Sequence, residues 1–276
     1  MSESLELRTT DGASARLALQ GAHLTHWQPA GCDDNALFLS ESAVYAPGVA
    51  IRGGVPVIFP QFAGEGALPK HGFARSMAWT LVEHAHRADG RAVARLQLTD
   101  DQRTLAIWPH RFTAGLTVTI GGAALELQLD ITNTDDRDFS FTSALHTYLH
   151  VDDIGSTRVL GLQHRHYRDS TAGGSLHRET SAALVIENEC DRIYLQTPPS
   201  VQVQTSRRMI TVGQQGFADT VVWNPGAARA AALHDLHPGG WRQMLCVEAA
   251  AVAQPVRLKP GQHWAGTQMI TVATPS

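Results

Sequence analysis

The sequence is short of charge, of cysteine and of long apolar runs, and each shortage removes a class of explanation. Of its 276 residues only 17% are charged, and 26 acidic against 22 basic side chains leave a formal net charge of −4. That balance lacks the strongly basic footprint of a nucleic-acid-binding domain. No nucleic-acid partner is therefore expected, while a local basic pocket for a small anion stays open. No stretch approaches the ~20 apolar residues that span a bilayer, so no membrane association is expected. The opening segment 1–20 has no basic stretch leading into an apolar run, so no secretory signal is expected either. The three cysteines, Cys32, Cys190 and Cys246, are odd in number, widely spaced and without a CxxC pair. They read as buried free thiols of a cytoplasmic protein, not as a disulfide framework or a zinc ribbon. A P-loop, a GxGxxG and a GxSxG are also missing, so nucleotide-binding and serine-hydrolase chemistry have no motif behind them.

What the chain does have is 43% hydrophobic residues, enough for a sizeable core and incompatible with disorder at this low net charge. Apolar and polar residues alternate with a period of two in ARLALQ, VARLQLT, FTAGLTVTI, LELQLDITNT and VQVQT. In LELQLDITNT, Leu125, Leu127, Leu129 and Ile131 share one side and Glu126, Gln128, Asp130 and Thr132 the other. Such segments predict strands with one buried face. Turn residues at Gly121–Gly122, 133–136, Gly173–Gly174 and 238–240 punctuate the runs. Amphipathic helical windows are nearly absent. The expected fold is mainly β, a large antiparallel β-sandwich forming a single domain over residues 1–276. The polar stretch from Gly155 to Ser181 is expected to be a long loop within it.

Three segments concentrate chemistry. Residues 51–79, IRGGVPVIFPQFAGEGALPKHGFARSMAW, predict a structured loop holding Arg52, Lys70, His71 and Arg75 with Glu65 as the nearby acid. This suits an anion such as phosphate, which arginine grips bidentately; the alternative is a solvated basic loop. In FTSALHTYLHV, a strand would put His146, Tyr148 and His150 on one side, while the absence of HExxH weakens a zinc reading. A histidine satisfied within the core is the alternative. In GWRQMLCVEAAAV, Glu248 falls among apolar neighbours on a predicted strand. A carboxylate there either bonds to backbone or arginine, or carries a raised pKa suited to a general base. The pairs His84/His86 and His164/His166 have the spacing of cupin-type metal ligands but no distinctive third ligand, and surface histidines are the reading adopted. No metal or cofactor is expected.

Taken together, IRGGVPVIFPQF, LPKHGFARSMAW, FTSALHTYLHV, DRIYL and DTVVWNPG followed by CVEAA resemble the glucose-6-phosphate 1-epimerases of the aldose 1-epimerase superfamily, in family order from about residue 50 to 250. The resemblance implies a galactose mutarotase-like supersandwich and interconversion of the anomers of a hexose 6-phosphate without a cofactor. It implies His146 as acid and Glu248 as base, with Arg52, Arg75 and Asp191 binding substrate. Lys70 stands where the family often has glutamine, and His71 lies in the same motif; both are expected at the site. Phe62, Tyr148 and Trp223 are candidates to pack on the sugar's C–H face. The competing readings are a mutarotase for unphosphorylated aldoses and a non-catalytic carbohydrate-binding sandwich. Nothing in the sequence sets the oligomeric state, and a monomer is the simpler expectation.

Overall fold

The computed structural model describes residues 3–273, and its strands follow the alternation of the sequence. The five alternating runs form the strands Ser14–Ala18, Ala92–Thr99, Phe112–Gly121, Ala124–Asn133 and Ser200–Gln204. Within Ala124–Asn133, Leu125, Leu127, Leu129 and Ile131 are fully buried while Glu126, Gln128 and Asp130 remain partly exposed. A period of two in the sequence becomes one dry and one wet face. Burying each such leucine contributes about 1.5–3 kcal/mol. The α-helices among the described residues are two short ones, Gln102–Ile107 and Gly226–Ala230.

The strands build a three-stranded, an eight-stranded and a nine-stranded sheet. The nine-stranded sheet orders Ala183–Leu184, Arg158–Leu160, Ser200–Gln204, Met209–Gln215, His263–Ala273, Ala124–Asn133, Phe112–Gly121, Ala92–Thr99 and Thr80–His86. The eight-stranded sheet orders Ser175–Arg178, His166–Asp169, Cys190–Tyr194, Asp219–Asn224, Met244–Leu258, Phe139–Leu145 and Val57–Ile58, with Tyr148–His150 also paired to Met244–Leu258. Their ladders are antiparallel. One cluster joins the two large sheets and contains Leu127, Leu129, Val222, Leu245, Val247 and Ile270. The eight-stranded sheet carries a second, smaller cluster with Ile193, Val221, Trp223, Cys246 and Ala250. The mainly β sandwich expected from the sequence is the observed architecture.

One expectation fails. The stretch 155–181 is not a long loop: it contains the strands Arg158–Leu160, His166–Asp169 and Ser175–Arg178. These strands are three or four residues long and lie at or near sheet edges, and Ser175–Arg178 is exposed throughout. Each offers at most one buried side chain, Val159 in the first and Tyr167 in the second, too few to write an apolar alternation, which is why their sequence looks like a loop. Segment 51–79 is the structured loop its Gly and Pro content predicts, interrupted by the two-residue strand Val57–Ile58 and a single 3-10 turn, Ala74–Ser76. Cys190 and Cys246 are buried, Cys32 is partly buried, and all three are free thiols. No helix among the described residues is long and apolar enough to cross a membrane.

Candidate active site

The site begins with the register of the strand Met244–Leu258. Leu145 pairs with Ala249 and Tyr148 with Cys246. The two residues between, His146 and Thr147, therefore lie opposite Glu248 and Val247. His146 Nδ1 is 3.3 Å from Glu248 Oε1, and Glu248 is 1% exposed. The single strand expected over FTSALHTYLHV is interrupted here: Phe139–Leu145 ends before His146, and Tyr148–His150 starts after Thr147. The reason lies in the backbone, because His146 N donates to Pro56 O (3.0 Å) and Thr147 N to Leu145 O (2.9 Å) instead of to the neighbouring strand. His146 and Tyr148 do share a side, with rings stacked at 4.9 Å and 13°. Trp223 meets the His146 ring edge-on at 5.8 Å. His150 is not part of this group; it lies near Arg208 and Asp152.

The basic loop is brought to the same place by glycines in left-handed conformation. Gly54 has φ +60, and a Cβ there would lie 2.1 Å from Leu24 O, so only glycine permits this approach. Arg52, two residues earlier, donates to the Tyr148 hydroxyl (2.9 Å) and pairs with Asp235 (3.1 Å). In HGFAR, Gly72 has φ +64 with a would-be Cβ 2.2 Å from Phe59 O. His71 also has positive φ, and its Nδ1 accepts from Ala63 N at 3.3 Å. Arg75 donates to Lys70 O (3.1 Å), leaving Lys70's ammonium at the exposed rim. From the far side, the strand Cys190–Tyr194 sets Asp191 opposite Trp223, where burial raises its carboxyl above the ordinary value and Ser170 beside it works the other way.

All seven residues singled out in the sequence, Arg52, Lys70, His71, Arg75, His146, Asp191 and Glu248, line one pocket of about 250 Å³. Phe62, Tyr148 and Trp223 line it too. Sequence reasoning missed Arg229, whose guanidinium reaches the pocket while paired with Glu189 (3.1 Å), and it missed Asp235. Arg229 had a usable signal. Buried Asn224 accepts from Gly226 N (2.8 Å) and donates to Trp241 O and Met244 O, so the NPG turn fixes the start of the helix that carries Arg229. Asp235 sits in a loop without such a motif. His84, His86, His164 and His166 are exposed and away from the pocket.

Electrostatics set the protonation of the central pair. Burial pushes the Glu248 carboxyl well above its ordinary value, Asp191's charge adds to this, and Arg75 opposes it. Burial pushes His146 well below 6.5, with His71, Arg75 and Arg52 acting the same way. Both shifts disfavour charge, as expected of groups taken out of water. Neither His146 Nδ1 nor Glu248 Oε2 has a hydrogen-bond partner, so each side chain of the pair is buried with one polar atom unsatisfied. His71 is lowered to about 3, by burial first and then by Arg75, Lys70 and Arg52. It stays neutral, accepting through Nδ1. The site thus joins one buried histidine–glutamate pair to a basic rim. His146, Cys246 and Glu248 also offer ligand atoms within 4.8 Å of one another, but Arg52 and Arg75 beside them disfavour a cation.

Comparison with known proteins agrees with this arrangement. The family model described as aldose 1-epimerase matches residues 3–271. A protein of Cenchrus ciliaris, provisionally named a glucose-6-phosphate 1-epimerase, is 37% identical over 276 residues, covering 96% of this chain and 83% of its own length. A protein of Escherichia coli K12 with the same provisional name is 37% identical, covering 94% of this chain and 87% of its own. The crystal structure of a provisionally assigned mutarotase from Salmonella typhimurium superposes with a TM-score of 0.88 at 31% identity, covering 95% of this chain and 88% of that one.

Proposed function

This chain belongs to the aldose 1-epimerase family, and from that premise we propose that it is an isomerase interconverting the α and β anomers of glucose 6-phosphate or a related aldose 6-phosphate. The phosphate assignment draws on the names of the relatives and on the basic rim of the pocket. Glu248 takes the proton of the anomeric hydroxyl while His146 gives one to the ring oxygen, and the pyranose opens. The aldehyde turns about C1–C2 and recloses with the two groups in exchanged roles. Nδ1 of His146 faces Glu248, so Nε2 serves the ring oxygen. Each group contributes about 10²–10⁴-fold.

The resting pair is short of charge, and the reaction needs a carboxylate and an imidazolium. Transfer of one proton from Glu248 to His146 gives both without changing the net charge. Arg52 and Arg75 oppose protonation of His146, whereas Glu248 responds chiefly to Arg75 among the cations. A phosphate held by Arg52, Lys70 and Arg75 offsets those cations and so favours the imidazolium. Asp191 holds sugar hydroxyls, and Trp223 and Phe62 cover the C–H face. Proton transfers complete the reaction, so no cofactor is invoked.

The observation that carries this reading is the His146–Glu248 contact at the base of a pocket with four cationic side chains, Arg52, Lys70, Arg75 and Arg229. The test is exchange between anomer resonances of glucose 6-phosphate, measured by NMR with and without enzyme and beside glucose and galactose. Acceleration of the phosphorylated sugar well beyond the free sugars is expected; equal acceleration would make it a general aldose mutarotase, and none would remove the activity. The same reading takes residues 1–276 as one cytoplasmic domain, supported by the reach of the family match and by three unpaired thiols.

A further inference from the structure

Gln268 is a polar residue where the sheet calls for an apolar one. On the strand His263–Ala273, Gly266, Gln268, Ile270 and Val272 face inward. Gln268 is completely buried, on the side of the strand that feeds the core between the two large sheets. A buried amide is costly unless its donors and acceptor are satisfied. Its partners are on the other sheet: Gln268 Oε1 accepts from the Thr147 hydroxyl, and Nε2 donates to Val247 O (3.1 Å).

Those two partners are the opposed residues immediately beside the opposed pair His146 and Glu248. In an antiparallel ladder a hydrogen-bonded pair exchanges two N–H···O bonds. Thr147 and Val247 make only one, Val247 N to Thr147 O (3.1 Å). The reciprocal bond is missing because Thr147 N has turned to Leu145 O (2.9 Å). The Gln268 amide supplies the missing donor to Val247 O and takes up the Thr147 hydroxyl, closing a three-residue ring of hydrogen bonds.

We propose that Gln268 is a positioning residue for the acid–base pair. By standing in for the missing rung it holds the ladder open at His146 and Thr147, and so sets the His146–Glu248 separation and the stack of His146 on Tyr148. It touches no substrate and lies outside the pocket lining. The inference rests on His146 and Glu248 being the reacting pair.

The test pairs shape-conserving and function-conserving variants. Gln268→Met keeps the volume and loses the amide; Thr147→Val loses the hydroxyl and Thr147→Ser keeps it. Misplacing a catalytic group by about 1 Å costs on the order of 10²-fold. The expected result for Gln268→Met and Thr147→Val is a kcat 10–100-fold lower per folded molecule on the order given by that misplacement. KM for glucose 6-phosphate should change little, since the basic rim is untouched. Thr147→Ser should recover most of the activity. The His146 imidazole resonances should move in Gln268→Met and Thr147→Val and stay at their wild-type positions in Thr147→Ser. A purely structural role predicts a lower Tm with unchanged kcat per folded molecule and unmoved His146 resonances, and that result overturns the proposal. If Gln268→Met does not fold, the threonine pair decides: equal kcat in Thr147→Val and Thr147→Ser refutes it. A wild type that fails to accelerate anomer exchange refutes instead the reading of the pair on which this rests.

Discussion

Val247 and Glu248 are consecutive residues of one strand, both almost wholly buried, and they serve opposite ends. Leu245, Val247, Ala249 and Ala251 enter the cluster that joins the two large sheets, where burial is the source of stability. Met244, Cys246, Ala250 and Val252 belong to the smaller cluster that surrounds the pocket, and Glu248 is the polar member of their row. On that face burial acts against stability, since it holds a carboxyl where ionisation is penalised. On the proposed role of Glu248, the contrast separates what makes this protein fold from what would make it react, within a single period of two.

Substitutions on the two faces should therefore dissociate stability from activity. The largest effect belongs to Glu248→Gln, which should lower anomer exchange by about 10²–10⁴-fold while the protein stays folded; a variant with full kcat would remove Glu248 from the reaction. Next comes Leu245→Ala on the other face. It should cost about 2–5 kcal/mol of stability in urea denaturation, with kcat per folded molecule nearly unchanged. A kcat loss matching that of Glu248→Gln would show that the faces are not separable. Smaller again, Arg75→Ala should weaken hexose 6-phosphate by about 1.5–3 kcal/mol, the value of a charge-assisted hydrogen bond, and leave any free-hexose rate untouched. Equal losses on both sugars would count against a phosphate seat.

The smallest effect sharpens the comparison through pH. A carboxyl raised in the folded state binds protons more tightly there than in the unfolded chain, whose value is near 4.5. Its favourable contribution is complete below 4.5 and disappears as pH rises through the folded value. The stability of Glu248→Gln relative to wild type should accordingly grow above pH 4.5, by at most about 1.4 kcal/mol per pH unit. Parallel stability curves for the two proteins would contradict the raised carboxyl. His23 works in the other sense. Burial lowers it to about 4, and its ring nitrogen lies 2.7 Å from Gly53 O, so its contribution is present above 6.5 and declines as pH falls toward 4.

How much of this was legible beforehand depends on how local each feature is. The alternating strands were, because a half-buried strand writes its two faces into the sequence, as Leu125 to Ile131 do. The short strands between 155 and 181 were not, since one buried residue or none per strand writes no alternation. The motif residues of the site were visible as blocks, and all of them line the pocket. Their mutual geometry was not visible. That His146 opposes Glu248 is a matter of register between distant strands, and the interruption at Thr147 depends on Pro56, Leu145 and Gln268 together. Arg229 arrives on the short helix whose start Asn224 fixes, and Asp235 in the loop after it, near the packing of His237 on Phe38.

The hydrogen-bonded ring beneath His146 and Glu248 also bears on when the enzyme becomes active as it folds. Gln268 is 121 positions from Thr147 and 21 from Val247. Contacts of such long sequence separation carry the entropy of closing large loops and form slowly in all-β chains. No hairpin or half-sheet contains the complete ring. The return of catalysis during refolding therefore serves as a clock for the docking of one sheet on the other, distinct from the earlier signal of strand formation.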